Sequence, residues 1–214
     1  MAEPPRILVV AGTNGCGKSS LLGEALLELG IPYFNPDLAA KRLLAANPSL
    51  SQTEANSQAW HEGKNALEQH IAQRRSFNFE TTLGGRTIVS MLAEGVARGI
   101  EIIIWYAGLA SPELHIARVK ARVARGGHDI PEDVIRRRYD ASRENLIRLL
   151  PRITELRLFD NSVDADPEAG HAPRPRPLMG WRGGKIGLLA ELAHIPDWAK
   201  PIVAAALRLQ SPAR

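Results

Sequence analysis

The residues best equipped for chemistry lie near the amino end. Gly12-Thr13-Asn14-Gly15-Cys16-Gly17-Lys18-Ser19 sets three glycines ahead of a lysine and a hydroxyl. Glycines at these positions let the backbone curl until several N–H groups point inward, which makes a cradle for phosphate oxygens. A helix opening directly behind adds the positive end of its dipole to the same anion. Lys18 then reaches the outer phosphates of a triphosphate, Ser19 is placed to ligate Mg²⁺, and Ser20 joins the nucleotide contacts. The eight residues match the P-loop pattern without a departure. A merely tight turn leaves unexplained why Lys and Ser both follow the last glycine. Cys16 reads as a small filler, with a reactive thiol at a helix N-terminus as the alternative.

Two further constellations fall where strands should end at the same sheet edge. Asn35-Pro36-Asp37 follows the second apolar run, and ligands of open parallel sheets gather beyond the carboxyl ends of their strands. Asp37 there can take the proton of a hydroxyl as it attacks a γ-phosphate, or it can cap the next helix. Glu80-Thr81-Thr82 closes the third run. Glu80 is placed to hold Mg²⁺-bound water or a substrate hydroxyl, with the threonines orienting it; a satisfied polar turn is the competing reading.

A block of arginine completes the set. Residues 113–152 carry ten basic side chains, among them Arg118, Arg122, Arg125, Arg136, Arg137 and Arg138. Spacings of four and three put Arg118, Arg122 and Arg125 on one helix face. Gly126-Gly127 then lets the next helix fold back, a layout suited to a lid over a triphosphate whose guanidinium groups steady the transferring phosphoryl. The charge agrees with this placement. The chain has 27 Lys+Arg and 23 Asp+Glu for a net +4, and the excess falls in residues 108–214, with 18 basic against 13 acidic. A local arginine surplus fits a phosphate-rich ligand better than nucleic acid, and a nucleic-acid partner is not expected.

The elements that must position these groups alternate. Residues 6–11 and 101–106 are β-branched runs of the kind buried on both faces, with shorter strands at 31–34, 77–79 and 156–159, the last read as the final strand of the sheet. Helical spacing covers 18–29, 39–46, 53–74, 87–98, 112–125 and 131–149. A Pro- and Gly-rich stretch at 163–177 reads as a linker or surface loop; 178–189 reads as a hairpin around Gly183-Gly184, and 196–209 as a last amphipathic helix. The chain is therefore expected to be a three-layer α/β fold with a largely parallel sheet. Its 214 residues divide into a core at 1–162 with a lid near 118–140, the linker, and a C-terminal hairpin and helix packed on the core. A single cysteine excludes internal disulfides, and with no leader-like or membrane-length apolar run a soluble, cytoplasmic protein without membrane contact is expected.

Some expected partners of a P-loop are missing. No ABC signature, no GTPase base-reading motif and no acid at the end of 101–106 is found. Small-metabolite kinases with a lid often manage without that acid. Taken in order, Gly-x-Asn-Gly-x-Gly-Lys-Ser, Asn-Pro-Asp, Phe-Glu-Thr-Thr and Tyr-Ala-Gly-x-x-Ser-Pro-Glu-Leu resemble the zeta-toxin family of P-loop kinases, over roughly residues 6–162. The lid phrase Arg-Val-Ala-Arg-Gly-Gly-His-Asp-Ile-Pro resembles its small chromosomal branch. The resemblance implies a P-loop NTPase fold and ATP/Mg²⁺-dependent phosphorylation of a small hydroxylated molecule, UDP-N-acetylglucosamine in well-known toxins. It implies Asp37 as general base, Lys18 and Ser19 on phosphate and Mg²⁺, and Asn35, Glu80, Thr81 and Thr82 toward the substrate. It also implies two lid arginines on the γ-phosphate, best matched by Arg125 and Arg138 with Arg122 next, and it admits an antitoxin protein as a partner. A nucleic-acid 5′-hydroxyl kinase and an ATP-binding regulator without transfer activity are the alternative readings.

Overall fold

The computed structural model describes residues 3–163 and 175–210, and within the first helix the side chains of Ser20, Leu21, Leu22, Glu24 and Ala25 are not described. One six-stranded sheet organises these residues in the order β2-β1-β3-β4-β5-β6. β1 (Arg6–Ala11), β2 (Phe77–Thr81), β3 (Glu101–Gly108) and β4 (Glu155–Asp160) run parallel. β5 (Arg176–Arg182) and β6 (Lys185–Leu189) are antiparallel additions at the β4 edge.

Period-two alternation along β1 separates the two faces. Ile7, Val9 and Ala11 join the main core, while Leu8 and Val10 face a smaller cluster on the opposite side. The main core is closed by α3 (Gln52–Ala72), α4 (Arg86–Ala97), α6 (Glu132–Leu149) and α7 (Lys200–Gln210). The smaller cluster packs Cys16, Leu26 and Leu114, from the P-loop, α1 (Glu24–Glu28) and α5 (Pro112–Val123), against the sheet. The three-layer α/β class and the largely parallel sheet are as the sequence predicts.

Four boundaries differ. The expected strand at 31–34 contributes only an isolated bridge, Phe34 to Phe79, flanked by Phe34 N–H to Asn78 O (2.8 Å) and Glu80 N–H to Phe34 O (2.8 Å). Pro32 lacks the N–H a longer ladder would need. The sheet does not end at β4: the hairpin pairs with it, giving that edge a neighbour. Arg176 and Pro177, expected in the linker, belong to β5; residues 164–174 of that stretch lie outside the described residues. Gly183 and Gly184 turn the hairpin with φ of 55° and 82°, the two positive values a type I′ turn requires. The last helix starts at Lys200, four residues later than expected, after a short 3₁₀ turn at Leu192–His194.

Candidate functional site

A cleft of about 1590 Å³ opens at the carboxyl ends of β1 and β2, bounded by the P-loop, α2 (Pro36–Ala46), α3 and the α5–α6 pair. The loop between β1 and the helical turn Lys18–Gly23 requires its glycines. Gly12 has φ 139°, and a Cβ there would stand 2.2 Å from the Ala107 carbonyl oxygen; Gly15 has φ 83° and would meet the His115 carbonyl oxygen at 2.8 Å. Three side chains from elsewhere brace the loop. His115 Nδ1 donates to Asn14 O (2.7 Å), Arg138 Nη1 to Asn14 Oδ1 (2.8 Å) and Asn161 Nδ2 to Cys16 O (3.0 Å).

Within the loop, Asn14, Gly15, Gly17, Lys18 and Ser19 border the cleft. Gly12, Thr13 and Cys16 do not. Thr13 Oγ1 donates to Arg138 O (3.3 Å), the Cys16 N–H to Thr13 O (3.2 Å), and the Cys16 side chain is fully buried in the smaller cluster. Burial pushes the thiol's pKa up, so of the two readings of Cys16 the filler is the one the structure shows. The side chain of Ser20 is among those not described.

Glu80, next to last in β2, lies beside the P-loop strand in register with Val10. Its carboxylate accepts from Ser19 Oγ (2.8 Å) and Asn35 Nδ2 (3.1 Å) and lies 3.8 Å from Lys18 Nζ, with both charged side chains 7% exposed. Burial raises the Glu80 pKa, while Lys18 and the Ser19 hydroxyl pull it back down. Glu80 thus brings a buried carboxylate to Ser19 from β2, across β1 from β3, whose own end carries no acid. Ser19 and Glu80 offer hard oxygen donors side by side, the donor chemistry that magnesium takes together with phosphate.

Asn35 settles a choice the sequence leaves open. Its Oδ1 accepts from the N–H groups of Asp37 (2.8 Å) and Leu38 (3.2 Å), so Asn35, not Asp37, caps α2. Its amide nitrogen donates to Glu80 and Ser19, which leaves Asn35 5% exposed and off the cleft wall rather than facing a substrate. Asp37 sits in the first turn of α2 with its carboxylate bordering the cleft, 3.6 Å from Arg122 Nη1 and 3.9 Å from His128 Nε2.

Arg118, Arg122, Arg125 and Arg138 all border the cleft. α5 ends at Val123, so Arg125 lies in the turn beyond the helix and not on its face. Thr82 borders the cleft as well. Thr81 does too, but its hydroxyl is engaged by the Leu83 N–H (3.1 Å), steadying a loop in which Leu83 is buried at φ 55°. Helix α6 pins that loop from behind, with Ser142 Oγ donating to Thr82 O (2.7 Å) and Asn145 Nδ2 to Leu83 O (2.9 Å).

His115, Asn161, Ser142 and Asn145 escaped the reading of the sequence. The available signal was polarity at helical spacing: Ser142 and Asn145 fall on the buried stripe Ile135, Tyr139, Leu146 and Leu149 of α6. His115 is 1% exposed, and burial lowers its pKa to about 4, with Lys18, Arg118 and Arg143 acting in the same direction and the bond to Asn14 opposing. Above about pH 6.5 the ring is neutral whether folded or unfolded. Between about 6.5 and about 4 only the unfolded chain takes the proton, so stability falls as pH falls through that window, by roughly 3 kcal/mol in all. The difference in urea midpoint between pH 7.5 and 4.5 should shrink in His115→Gln; an unchanged difference would exclude a buried neutral imidazole.

The fold and cleft define a P-loop protein built on a largely parallel α/β sheet. No family model matches the chain. It belongs to one family with an uncharacterized protein of Haemophilus influenzae, to which it is 32% identical over 136 residues, 63% of this chain and 92% of that protein. Among solved structures it is similar to the AvrRxo1-ORF1:-ORF2 complex with ATP, with TM-score 0.66 and 16% identity over 99% of this chain; it spans 65% of that chain's length. It is also similar to the PezAT chromosomal toxin-antitoxin system of Streptococcus pneumoniae, with TM-score 0.52 and 14% identity over 81% of this chain and 75% of that one. At these identities the likeness concerns the fold.

Proposed function

We propose that this chain is an ATP- and Mg²⁺-dependent phosphotransferase that moves a γ-phosphoryl group to a hydroxyl of a small metabolite. The observation that carries the reading is Asp37, released from capping by Asn35 and facing Lys18, Ser19 and Glu80 across one cleft. Ser19 and Glu80 would hold magnesium, which would supply positive charge against the phosphates. Inward N–H groups of the P-loop and Lys18 would fix the triphosphate. Asp37 would accept the acceptor's proton as its oxygen attacks, and Arg138, Arg125 and Arg122 would oppose the charge on the moving phosphoryl. A similar fold solved with ATP supports the nucleotide part of this reading.

Arg138→Ala and Arg125→Ala should each lower turnover, by roughly 10²-fold for a group acting mainly in the transition state, while ATP affinity changes far less. Equal losses in both would make these arginines ordinary binding residues. The acceptor is tested by incubating a metabolite extract with the protein and MgATP and reading mass gains of one phosphate, with UDP-N-acetylglucosamine as the first pure compound. Acceptor-independent ADP release with no phosphorylated product would favour a regulator instead. An antitoxin-like protein partner is a further proposal, tested by co-purification of the protein expressed with its neighbouring genes.

A further inference from the structure

The lid turn 124–131 carries a group that the proposed reaction does not use. His128 lies in the cleft wall with its side chain 15% exposed, and its Nε2 is 3.9 Å from Asp37 Oδ1. Arg122 Nη1 stands 3.6 Å from the other oxygen, Oδ2, and Arg122 Nη2 donates to the His128 carbonyl at 3.1 Å. The guanidinium and the imidazole are therefore mounted on one another and flank the two oxygens of one carboxylate. The mounting is built in. A Cβ on Gly127 would stand 2.7 Å from Arg122 Cγ, and Ile130 anchors the turn in a small core with Ile116, Val119 and Ile135.

Resting on the phosphotransferase reading, we propose that His128 is a positioning residue for Asp37. A lid movement of about 1 Å brings Nε2–H to hydrogen-bonding distance of Oδ1. That bond sets the rotation of the carboxylate and leaves Oδ2 as the basic oxygen. Arg122 stands beside Oδ2 and moves to the triphosphate when it binds, so the oxygen that takes the proton is uncovered only with the donor in place. The acceptor O–H bond then breaks toward Oδ2 as the new O–P bond forms, and the bond from the γ-phosphorus to the bridging oxygen breaks with ADP as leaving group.

The other charged groups around the carboxylate are Arg122 on α5, Arg138 on α6, Glu80 on β2 and Lys41 one turn further along α2; Asp129 adjoins the ring in sequence.

The test measures ADP release from MgATP with a fixed metabolite extract, beside titration with a non-hydrolysable ATP analogue. His128→Ala should lose roughly tenfold in turnover with analogue affinity unchanged, a loss smaller than that of a general base. His128→Asn, which keeps an N–H donor, should recover most of the rate. An alanine variant with full turnover, or an asparagine variant that recovers none of the loss, overturns the role of His128. Failure of the wild type to bind the analogue or to phosphorylate anything in the extract would instead defeat the phosphotransferase reading itself.

Discussion

Asp37→Asn is expected to bind MgATP as tightly as the wild type, or slightly more tightly, and to transfer phosphate roughly 10²–10⁴-fold more slowly. The substitution preserves shape and removes only basicity and one negative charge. Asp37 lies in the first turn of α2, where the cap is provided by Asn35, so the helix keeps both capping bonds. The loss of a favourable carboxylate at a helix start amounts to roughly 0.3–1 kcal/mol, too little to unfold the domain. Repulsion between the carboxylate and a triphosphate also disappears, hence the unchanged or improved affinity. Single-turnover transfer and analogue titration on the same preparation check both halves. Near-normal transfer would reduce Asp37 to a partner of Arg122 and His128.

Lys18→Ala should remove measurable MgATP binding and, with it, turnover. The ammonium lies 3.8 Å from Glu80 Oε1, and both groups are almost wholly buried. A triphosphate gives this cation a partner of higher charge, and charge-assisted bonds of that kind are worth roughly 1.5–3 kcal/mol each. Its removal has a second consequence. Glu80, whose pKa burial already raises, loses the cation that holds it down, so it should take up a proton more readily and weaken as an oxygen donor beside Ser19. Calorimetric titration of MgATP reads the first effect. Because a buried charge left unpaired can also destabilise the chain, Ser19→Ala serves as the companion variant: it keeps the Lys18–Glu80 pair and should still lose magnesium-dependent affinity. Retained affinity in both variants would overturn the phosphate-cradle assignment.

Much of this site was legible before any coordinates. The cradle at 12–19 is contiguous, and glycine spacing encodes its shape directly, because only residues tolerant of positive φ can make that curl. Asp37 and Glu80 were legible because strand–helix alternation places the ends of parallel strands on one edge whatever the strand order. The hairpin turn was legible from two adjacent glycines. Less legible was everything that depends on who faces whom. Nothing local distinguishes Asn35 from Asp37 as the cap of α2, since both residue types cap well and the choice follows from where Pro36 falls in the first turn.

The amino-acid sequence alone determined the fold class, the phosphate cradle and the residue types around it, since each follows from short-range periodicity or from backbone freedom. Only the tertiary structure decided that β5 and β6 extend the sheet, that Glu80 serves Ser19 and Lys18, and that His115, Arg138 and Asn161 brace the loop. The side-chain contacts among these join residues 61 to 145 positions apart. Their pairing depends on how helices pack across a shared core, and that packing is set by side-chain volume and burial over the whole chain rather than by any local signal.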